Sequence, residues 1–334
     1  MTNLAQVAQH AGVSIATASL VLSGKDSGRV SRPTAQRVTE AAAELGYVRN
    51  ALAAGMRSGR TASIGVVAED VLSTPYAVEM IKAILTASAE HGWSVLLTDA
   101  GHDSRQARKA VEEMLSRKVD RIIRAAMYHR RVDVPPDLDD VVVLNGYANR
   151  SGVPSVVPDE SRAAREATEH LIGLGHTRIA HITDTSGAVA VGLRLRGYRQ
   201  ALAAHAIRYD ETLVIYGGNS PEQTDVSARR LLALNPRPTA VFCYNDGMAA
   251  GVYRQAHRAG IQIPRDLSVV GFDDLTLIST NLDPGLTTMR LPHYEMADWL
   301  TKAIITSGPG SLHAGITRVP CRLVRRASTA PPPG

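Results

Sequence analysis

The sequence has few cysteines and no long hydrophobic run. Among its 334 residues only Cys243 and Cys321 are cysteines, too few for a disulfide framework and consistent with a reducing compartment. Apolar stretches are short and interrupted by polar residues, so we expect no membrane span. The first residues contain no charged region followed by an apolar run. We therefore expect no secretory signal and a cytoplasmic protein.

Motifs typical of enzymes are missing as well. Residues 12–16, Gly-Val-Ser-Ile-Ala, lack the last glycine of a G-x-S-x-G nucleophile elbow and lie in a helical context. There is no P-loop, and no G-x-G-x-x-G follows a strand pattern. The eleven histidines include no H-E-x-x-H motif, and the two cysteines lie far apart. We therefore expect no enzyme, no metal site and no cofactor.

The charge that is present is concentrated at the N-terminus. Residues 1–60 carry seven basic and three acidic side chains, whereas the other 274 carry 30 basic and 29 acidic ones. This asymmetry favours a small basic module with a polyanionic partner, attached to a nearly neutral body. A solvated surface bias would produce the same count, so charge alone leaves that alternative open.

The N-terminal residues 4–46 have the pattern of three short helices. Gly12 ends the first helix, Ser14 can cap the second, and Ser31 can cap the third, with Pro33 in its first turn. Helix, glycine turn and second helix have the spacing of a helix-turn-helix, whose second helix enters the major groove of DNA by its first turn. An ordinary helical hairpin has the same bare pattern.

From Ser63 onward short apolar runs alternate with amphipathic stretches. The runs predict strands over 64–68, 94–98, 121–126, 141–145, 178–183, 240–243 and 268–272, and the stretches predict helices over 76–91, 104–117, 161–174, 193–205, 222–234 and 246–259. This alternation favours two doubly wound lobes with parallel sheets covered on both faces. Arg121 and Arg124 are unusual in an apolar strand and could line a pocket, its edge, or reach solvent.

Distinctive short motifs lie along the chain from the N-terminal region to residue 329. In the N-terminal region they are Val7-Ala-x-x-Ala-Gly-Val-Ser-x-Ala-Thr-x-Ser, Val30-Ser-x-x-Thr and Glu44-Leu-Gly-Tyr-Val-x-Asn50. In the body they include Ile64-Gly-Val-Val, Val157-Pro-Asp159, Leu174-Gly-His-x-Arg-Ile-Ala180, Arg194-Leu-x-Gly-Tyr198, Asn245-Asp246, Val269-Val-Gly-Phe-Asp-Asp274, Leu286-Thr-Thr288 and Leu323-Val-x-Arg-x-Ser-Thr329. In combination and in order, these motifs resemble those of the LacI/GalR family of transcriptional regulators, and the resemblance extends over essentially the whole chain.

The resemblance implies a small all-α helix-turn-helix headpiece and an α/β body of two lobes similar to periplasmic sugar-binding proteins. The expected boundaries are residues 1–48 for the DNA-binding domain, 49–61 for a hinge helix and linker, 62–327 for an effector-binding and dimerisation domain, and 328–334 for a disordered, proline-rich tail. The implied function is that of a DNA-binding repressor, which binds a palindromic operator as a homodimer under the control of a small sugar-like effector. Such a protein is expected to be associated with the nucleoid when it is bound to DNA.

The resemblance also implies which residues contact DNA. The positions are Ser14, Ile15, Ala16, Thr17, Ser19, Leu20, Ser31, Thr34, Asn50, Ala53 and Met56. Leu20 departs from the arginine that many members place there, so a bidentate guanine contact is lost. Met56 replaces the usual leucine that wedges into the central base step, and we expect the wedge to persist because methionine is apolar and of similar volume; packing on the hinge helix itself is the alternative.

The implied effector residues lie mostly at strand ends, where doubly wound lobes bind ligands. They are Asp70, Tyr76, Asn145, Arg194, Asn245, Asp273 and His293. Carboxylate, amide and guanidinium groups together suit a hydroxyl-rich ligand. We interpret Asp246 and Asp274 as helix caps and His176 as structural. Asn219 replaces the aromatic residue that many sugar-responsive members have, which leaves the ligand class open.

Two alternatives remain beside the ligand-controlled regulator. One is a solute-binding protein or sensor whose DNA binding is not ligand-controlled. The basic N-terminal module argues against a protein that binds only a solute. The other is a sugar-metabolising α/β enzyme with a fused DNA-binding module, against which the missing catalytic motifs count. No leucine heptads follow Thr329, so we expect no zipper-type tetramer.

Overall fold

The chain forms two structural units in a computed structural model that describes residues 2–24, 26, 28–47, 61–69, 71, 75–101, 103–136, 138 and 140–334. The units are Met1–Thr61 and Ala62–Gly334, and each has its own buried core. None of the helices in the described ranges combines the length and the apolar character that crossing a bilayer requires.

The first unit contains three helices around a small apolar core. They are α1 (Leu4–Ala11), α2 (Ile15–Leu22) and α3 (Arg32–Glu44). Asn3 and Gln6 form a reciprocal capping box at the start of α1. Gly12 ends α1 with φ 64°, a left-handed conformation that glycine adopts at little cost. The helices bury small and branched side chains against one another: Val7, Ala8, Ala11, Ala18, Val38, Ala41 and Ala42.

The second unit alternates strands and helices. In chain order its elements are β1 (Ser63–Glu69), α4 (Pro75–Glu90), β2 (Ser94–Asp99), α5 (Ser104–Ser116), β3 (Arg121–Val132), β4 (Val141–Ala148), β5 (Ser155–Pro158), α6 (Glu160–Gly173), β6 (Ile179–Asp184), α7 (Val189–Ala204), β7 (Val214–Gly217), α8 (Pro221–Leu232), β8 (Ala240–Cys243), α9 (Asp246–Arg258), β9 (Ser268–Asp273), α10 (Thr276–Ser279), β10 (Thr287–Arg290), α11 (His293–Thr306), β11 (Ile316–Val319) and β12 (Arg322–Val324).

The strands form two six-stranded sheets, one in each lobe. The first has the order β11-β5-β4-β3-β1-β2 with every described pair parallel, and the second has the order β12-β10-β9-β8-β6-β7 with β12 antiparallel to β10. Two doubly wound parallel lobes were predicted, and the fold confirms them. The antiparallel β12 is an addition to that prediction.

Each sheet is covered on both faces because apolar residues follow one another along its strands. Ile122 and Ile123, neighbours on β3, belong to two different cores on opposite faces of the first sheet. In the second sheet Val241 and Phe242 divide between two cores in the same way. Such near-continuous apolar strands are typical of parallel sheets enclosed by helices.

The chain passes between the lobes three times. It leaves the first sheet after β5 to enter α6, returns from β10 to α11, and leaves again from β11 to β12. Helix α11 packs on α4 and on the strands of the first sheet, so it belongs to the first lobe although it follows a strand of the second. The two lobes are thus joined by three short connections at residues 159, 291–292 and 320–321.

The prediction of a disordered tail over residues 328–334 is wrong. Ser328 is fully buried: its Oγ donates to the oxygen of Val269 (2.6 Å) and accepts from the nitrogen of Thr287 (2.8 Å). The oxygen of Ala330 accepts from Ser268 Oγ (2.9 Å) and His176 Nε2 (2.8 Å). A proline-rich composition excludes helix and inner strand, but it is compatible with an extended segment that packs beside a sheet.

Candidate functional sites

The first turn of α2 presents small and polar side chains to solvent. Ser14 caps the helix, because its Oγ accepts from the nitrogen of Thr17 (3.1 Å), and the two hydroxyls lie 2.9 Å apart. Ile15 is 51% exposed and Ala16 is also exposed, whereas Ser19 and Leu20 are half-buried. An exposed isoleucine at a helix start does not contribute to the core, which is what a residue that reads base edges requires.

A pair of hydroxyls marks the start of α3. Ser31 occupies the N-cap position with no capping bond from its side chain, and its Oγ lies 2.9 Å from Thr34 Oγ1. The predicted DNA contacts Ser31 and Thr34 therefore lie together at one helix end, with Ser31 exposed. Asn50, Ala53 and Met56 lie outside the described residues, as does the predicted effector residue Asp70. The helix that carries Tyr76 is described, but that side chain is not.

Arg194 is the centre of a buried charge cluster in the second lobe. It projects from α7, and its Nε donates to Glu160 Oε2 over 2.7 Å, with both side chains at most 5% exposed. Its guanidinium also donates to the oxygen of Tyr244 and, over 3.4 Å, to Asp273 Oδ1. The guanidinium carbon lies 3.7 Å from the ring centroid of Phe272. Charge-assisted bonds and an aromatic face thus fix its orientation before any ligand binds.

Asp273 has an unusual backbone and an unusual acidity. It ends β9 with φ 104°, a conformation that residues with a Cβ rarely adopt and that occurs preferentially at functional sites. Burial raises the pKa of its carboxyl to about 7, although Arg194 opposes that rise. The carboxyl can therefore exchange a proton near neutral pH.

Residues of the first lobe face this cluster. His293 begins α11 and is buried; burial and the nearby charge of Arg194 lower its pKa to about 4, so its ring is neutral at pH 7. Burial also lowers the pKa of His129 on β3, with a smaller opposing effect from Glu160 and further lowering by Arg318 and Arg194. The ring of His129 meets that of Tyr147 edge to face at 6.0 Å. The cluster around Arg194 is therefore where the two lobes meet.

The asparagines at the predicted positions have different roles. Asn245 caps α9 through Oδ1, which accepts from the nitrogen of Met248 (2.8 Å), and its Nδ2 donates to Asn219 Oδ1 (2.7 Å). Asn145 is buried with φ 58°, and its Nδ2 donates to the oxygens of Ala126 (3.0 Å) and Met127 (2.8 Å). Asn145 thus braces an irregular part of β3, whereas Asn219 and Asn245 form an amide pair at a strand end.

The interpretation of Asp246 and Asp274 as helix caps is wrong. Asn245 caps α9 instead, and Asp246 is buried, where it accepts from Thr288 Oγ1 (2.6 Å) and the nitrogen of Leu275 (2.7 Å). Asp274 accepts from Arg326 Nη2 over 2.8 Å. Each carboxylate therefore connects segments that are distant in sequence, which a local capping pattern does not reveal.

The structure supports the interpretation of His176 as structural and reveals residues that sequence reasoning missed. Both ring nitrogens of His176 have partners within the second lobe, including Thr239 Oγ1 at 2.9 Å. Glu160, His129 and Tyr244 surround Arg194 but were not predicted. Over the described residues, no three His, Cys, Asp or Glu side chains are grouped so that they could hold a metal ion.

Two family descriptions match the chain. Residues 3–50 match "Bacterial regulatory proteins, lacI family", and residues 168–329 match "Periplasmic binding protein-like domain". Among curated relatives, the HTH-type transcriptional repressor CytR of Escherichia coli K12 is 32% identical over 327 residues, which cover 97% of this chain and 95% of that protein.

Solved structures agree with these matches over nearly the whole chain. A lac repressor dimer bound to operator and the anti-inducer ONPF aligns with a TM-score of 0.81 and 25% identity, covering 98% of this chain and 99% of the other. A complex of the transcriptional regulator CelR with cellobiose aligns with a TM-score of 0.64 and 30% identity, covering 98% and 100%.

Proposed function

Because the chain belongs to the LacI family of bacterial regulatory proteins, we propose that it is a transcriptional repressor that binds operator DNA under the control of a small effector. The observation that carries the proposal is the combination of two features in one chain. A helix-turn-helix exposes the first turn of its second helix, and a separate two-lobed body holds a pre-oriented arginine between buried carboxylates.

DNA recognition in this proposal belongs to α2 and the start of α3. Ile15 and Ala16 contact base edges, where their apolar groups suit thymine methyls. The hydroxyls of Thr17, Ser19, Ser31 and Thr34, together with Ser14, contact phosphate or sugar and fix the register. Leu20 offers no hydrogen-bond donor, so the half-site lacks the guanine that an arginine at this position would select. Asn50, Ala53 and Met56 complete the interface from the hinge, with Met56 as the minor-groove wedge.

Effector binding belongs to the inter-lobe cluster. Arg194 and Asp273, with the amide pair of Asn219 and Asn245, offer donors and acceptors that match adjacent hydroxyl groups. Asp70, Tyr76, Asn145 and His293 complete the proposed site from the first lobe. The cellobiose complex of CelR supports a sugar or sugar derivative as the effector class. The amide of Asn219 favours a polar contact rather than ring stacking at its position.

A palindromic operator requires a two-fold dimer. Apolar side chains that the monomer leaves in solvent support one: Val78 and Leu85, seven residues apart on α4, are 42% and 48% exposed, and Trp299 on α11, which packs on α4, is 44% exposed. Exposed apolar groups on adjacent helices mark an interaction surface. The lac repressor structure that aligns with this chain is a dimer bound to operator.

The proposed control is a change in the angle between the lobes. A ligand that binds both lobes closes them about the three connections at 159, 291–292 and 320–321. In a dimer this closure alters the spacing of the first lobes and, with it, the pairing of the hinge helices on DNA. Such coupling amounts to about 1–3 kcal/mol in typical allosteric proteins, or roughly 5- to 150-fold in affinity.

Selection of binding sequences from a pool of random duplex DNA tests the DNA-binding half. We expect the full chain to enrich an inverted repeat, and fluorescence anisotropy on that repeat to show about tenfold weaker binding for Ile15→Gln, because fully burying an isoleucine side chain contributes about 1.5–3 kcal/mol. Leu277→Gln is the matched control, since Leu277 is an exposed apolar residue of the body. Failure to enrich any sequence would contradict the proposal.

Titration of the protein–operator complex with candidate sugars tests the effector half. We expect one class of sugar to change operator affinity at least fivefold, and Arg194→Ala to remove that response. Arg196→Ala, at an exposed neighbour on the same helix, should respond like the wild type. Circular dichroism confirms that the Arg194 variant is folded at the assay temperature. If no sugar changes operator affinity, the proposal of a sugar-like effector is contradicted.

A further inference from the structure

Glu160 is a buried carboxylate to which none of the motifs of the family resemblance assigns a role. It begins α6, directly after the first connection between the lobes. Its side chain is 3% exposed, and its Oε2 accepts from Arg194 Nε over 2.7 Å. An acidic residue in the first turn of a helix usually interacts with the helix N-terminus while it remains in solvent. This one is instead enclosed and paired with a residue of another helix, α7.

Protein groups determine the orientation of the Arg194 guanidinium. Besides the bond to Glu160, it donates to the main-chain oxygen of Tyr244. The ring centroids of Tyr244 and Phe272 lie 4.4 Å and 3.7 Å from the guanidinium carbon. Because the guanidinium is planar and these contacts engage both its edge and its surface, it has little freedom to turn while Glu160 holds it.

Glu160 and Asp273 share this guanidinium unequally. The bond from Arg194 to Glu160 measures 2.7 Å, the usual length of a charge-assisted hydrogen bond, whereas the one to Asp273 Oδ1 measures 3.4 Å. Among the described residues, Arg194 is the only cation that forms an ion pair with Asp273. Asp273 is also the more accessible carboxyl, 16% exposed against 3% for Glu160. The carboxyl with the weaker counterion is therefore the one that a ligand can reach.

The groups that face Asp273 do not compensate for this weak pairing. Burial raises the pKa of Asp273 to about 7; Arg194 opposes that rise, and the charge of Glu160 adds to it. Asp246, on α9, is another buried carboxyl, and burial and Asp273 raise its pKa. Burial raises the pKa of the Tyr244 hydroxyl to about 12, so this group is neutral at pH 7. Asp273 thus keeps hydrogen-bonding capacity that its neighbours do not use.

We propose that Glu160 is a positioning residue of the effector site, which holds the guanidinium of Arg194 and so leaves the carboxyl of Asp273 to accept hydrogen bonds from effector hydroxyl groups. Glu160 acts through Arg194 and does not itself contact the effector. The inference rests on the proposed function, because it concerns the same site. Without Glu160 at its present reach, Arg194 turns to Asp273, the nearest remaining carboxylate, and occupies the acceptor that the effector needs.

Titration of the Asp273 carboxyl by ¹³C NMR tests this role in the full chain, with the Asp273 signal assigned through Asp273→Asn. The wild-type signal should titrate near pH 7. In Glu160→Asp the carboxylate keeps its charge but is one methylene shorter, so its bond to Arg194 Nε is lost. The pKa of Asp273 should then fall by about one unit or more, because a guanidinium that pairs closely with a carboxyl lowers its pKa.

Glu166→Asp is the matched control. Glu166 lies on the same helix and accepts from Arg162 Nε over 2.8 Å, but this pair is at the surface, with side chains 36% and 65% exposed. Its shortening should leave the titration of Asp273 unchanged. Glu160→Gln keeps the length and removes the charge, and it should also lower the pKa of Asp273. If the pKa falls in Glu160→Gln but not in Glu160→Asp, Glu160 acts by its charge alone and the positioning role is overturned.

Calorimetry with the sugar that changes operator affinity in the wild type provides a second measurement. We expect Glu160→Asp and Glu160→Gln to bind that sugar about tenfold more weakly, because Asp273 is then occupied by Arg194, and Glu166→Asp to bind it like the wild type. Wild-type affinity in both Glu160 variants would also overturn the role. The carboxyl titration needs no effector, so the absence of an active sugar contradicts the proposed effector function alone.

Discussion

At the scale of single residues, His181 shows how the body tolerates a titratable group in its core. Its ring is fully buried and stacks on Phe242 at 4.7 Å and on Tyr198 at 5.3 Å, and its Nδ1 donates to the oxygen of Phe242 over 2.9 Å. Burial penalises the protonated ring and lowers its pKa to about 4, although the bond to Phe242 opposes that change. The neutral ring therefore behaves as an aromatic residue of the core.

This burial predicts acid sensitivity of the folded body. The unfolded chain takes up a proton at His181 near pH 6.5, whereas the folded protein does so only near pH 4. The neutral His181 therefore contributes fully to the free energy of unfolding above pH 7, and this contribution is lost as the pH falls from 6.5 to about 4. Between pH 7 and pH 5 the loss from one such group is about 2 kcal/mol. Urea unfolding at both pH values should show a smaller loss for His181→Phe.

The control for this prediction is His257→Phe, at an exposed histidine on α9. It should lose as much stability between pH 7 and pH 5 as the wild type does. His293 has a similarly lowered pKa and remains in all three proteins, so it does not affect the comparison. If the free energy of unfolding had the same pH dependence in His181→Phe as in the wild type, His181 would not be a source of the acid sensitivity.

The residues around Arg194 show what a sequence pattern can and cannot predict. Arg194 and Asp273 were predicted from motifs, and the structure brings them together over 3.4 Å. Glu160 was missed because an acidic residue in the first turn of a helix is explained by the helix dipole alone. Its contact with Arg194 joins positions 34 residues apart, and no local periodicity reports such a contact.

At the scale of secondary structure, every missed strand is short, although the equally short β8 was predicted from its continuous apolar run. The seven predicted strands all exist, whereas the missed ones, β5, β7, β10, β11 and β12, contain three or four residues each. Runs this short do not establish a period, and pairing with neighbouring strands determines their structure. Helix α11 was missed although it has 14 residues, because it lies beyond residue 272, where the predicted alternation of strands and helices ended.

The C-terminal segment provides a prediction at this scale. Deletion of residues 328–334 removes the backbone and hydroxyl partners of Val269 and Thr287, and it removes the Ala330 oxygen that accepts from His176 and Ser268. Several buried polar groups then lack partners, each at a cost of about 1–3 kcal/mol. We expect thermal unfolding of the second lobe at a clearly lower temperature, measured by calorimetry.

A shorter deletion provides the control. Removal of residues 331–334 leaves the hydrogen bonds of Ser328 and Ala330 in place and removes Pro332, which lies beside Gly175. This variant should unfold within about 0.5 kcal/mol of the wild type, as surface changes usually do. Equal destabilisation by both deletions would show that the hydrogen bonds of Ser328 and Ala330 are not what stabilises the lobe.

At the scale of the whole molecule, the path of the chain between the lobes could not be predicted. Alternation of strands and helices indicates doubly wound lobes, but it does not show at which points the chain changes lobe. Those points are short connections after β5, β10 and β11, and they lie beside residues of the charge cluster: Glu160 follows the first and His293 follows the second. In the proposed mechanism, a ligand at Arg194 influences the angle between the lobes because these two residues lie at the connections.

The distribution of charge leads to a prediction for the whole molecule. Residues 1–60 carry most of the excess positive charge, and the rest of the chain is nearly balanced. Each phosphate contact by a basic side chain releases counterions, so affinity for DNA falls linearly with salt on a double-logarithmic plot. We expect the full chain to show that steep dependence in anisotropy measurements, and residues 62–334 alone to show no DNA binding at any salt concentration.

The same truncated protein should retain its ligand binding, because residues 62–334 form a separate unit with their own cores and contain all the predicted effector residues. Calorimetry should therefore give affinities within about twofold of those of the full chain for any sugar that binds, since the contacts that set affinity are unchanged. Salt-dependent DNA binding by residues 62–334 would show that the body contributes phosphate contacts of its own. Loss of ligand binding with retained folding would instead show that the N-terminal unit and the effector site are energetically coupled even without DNA.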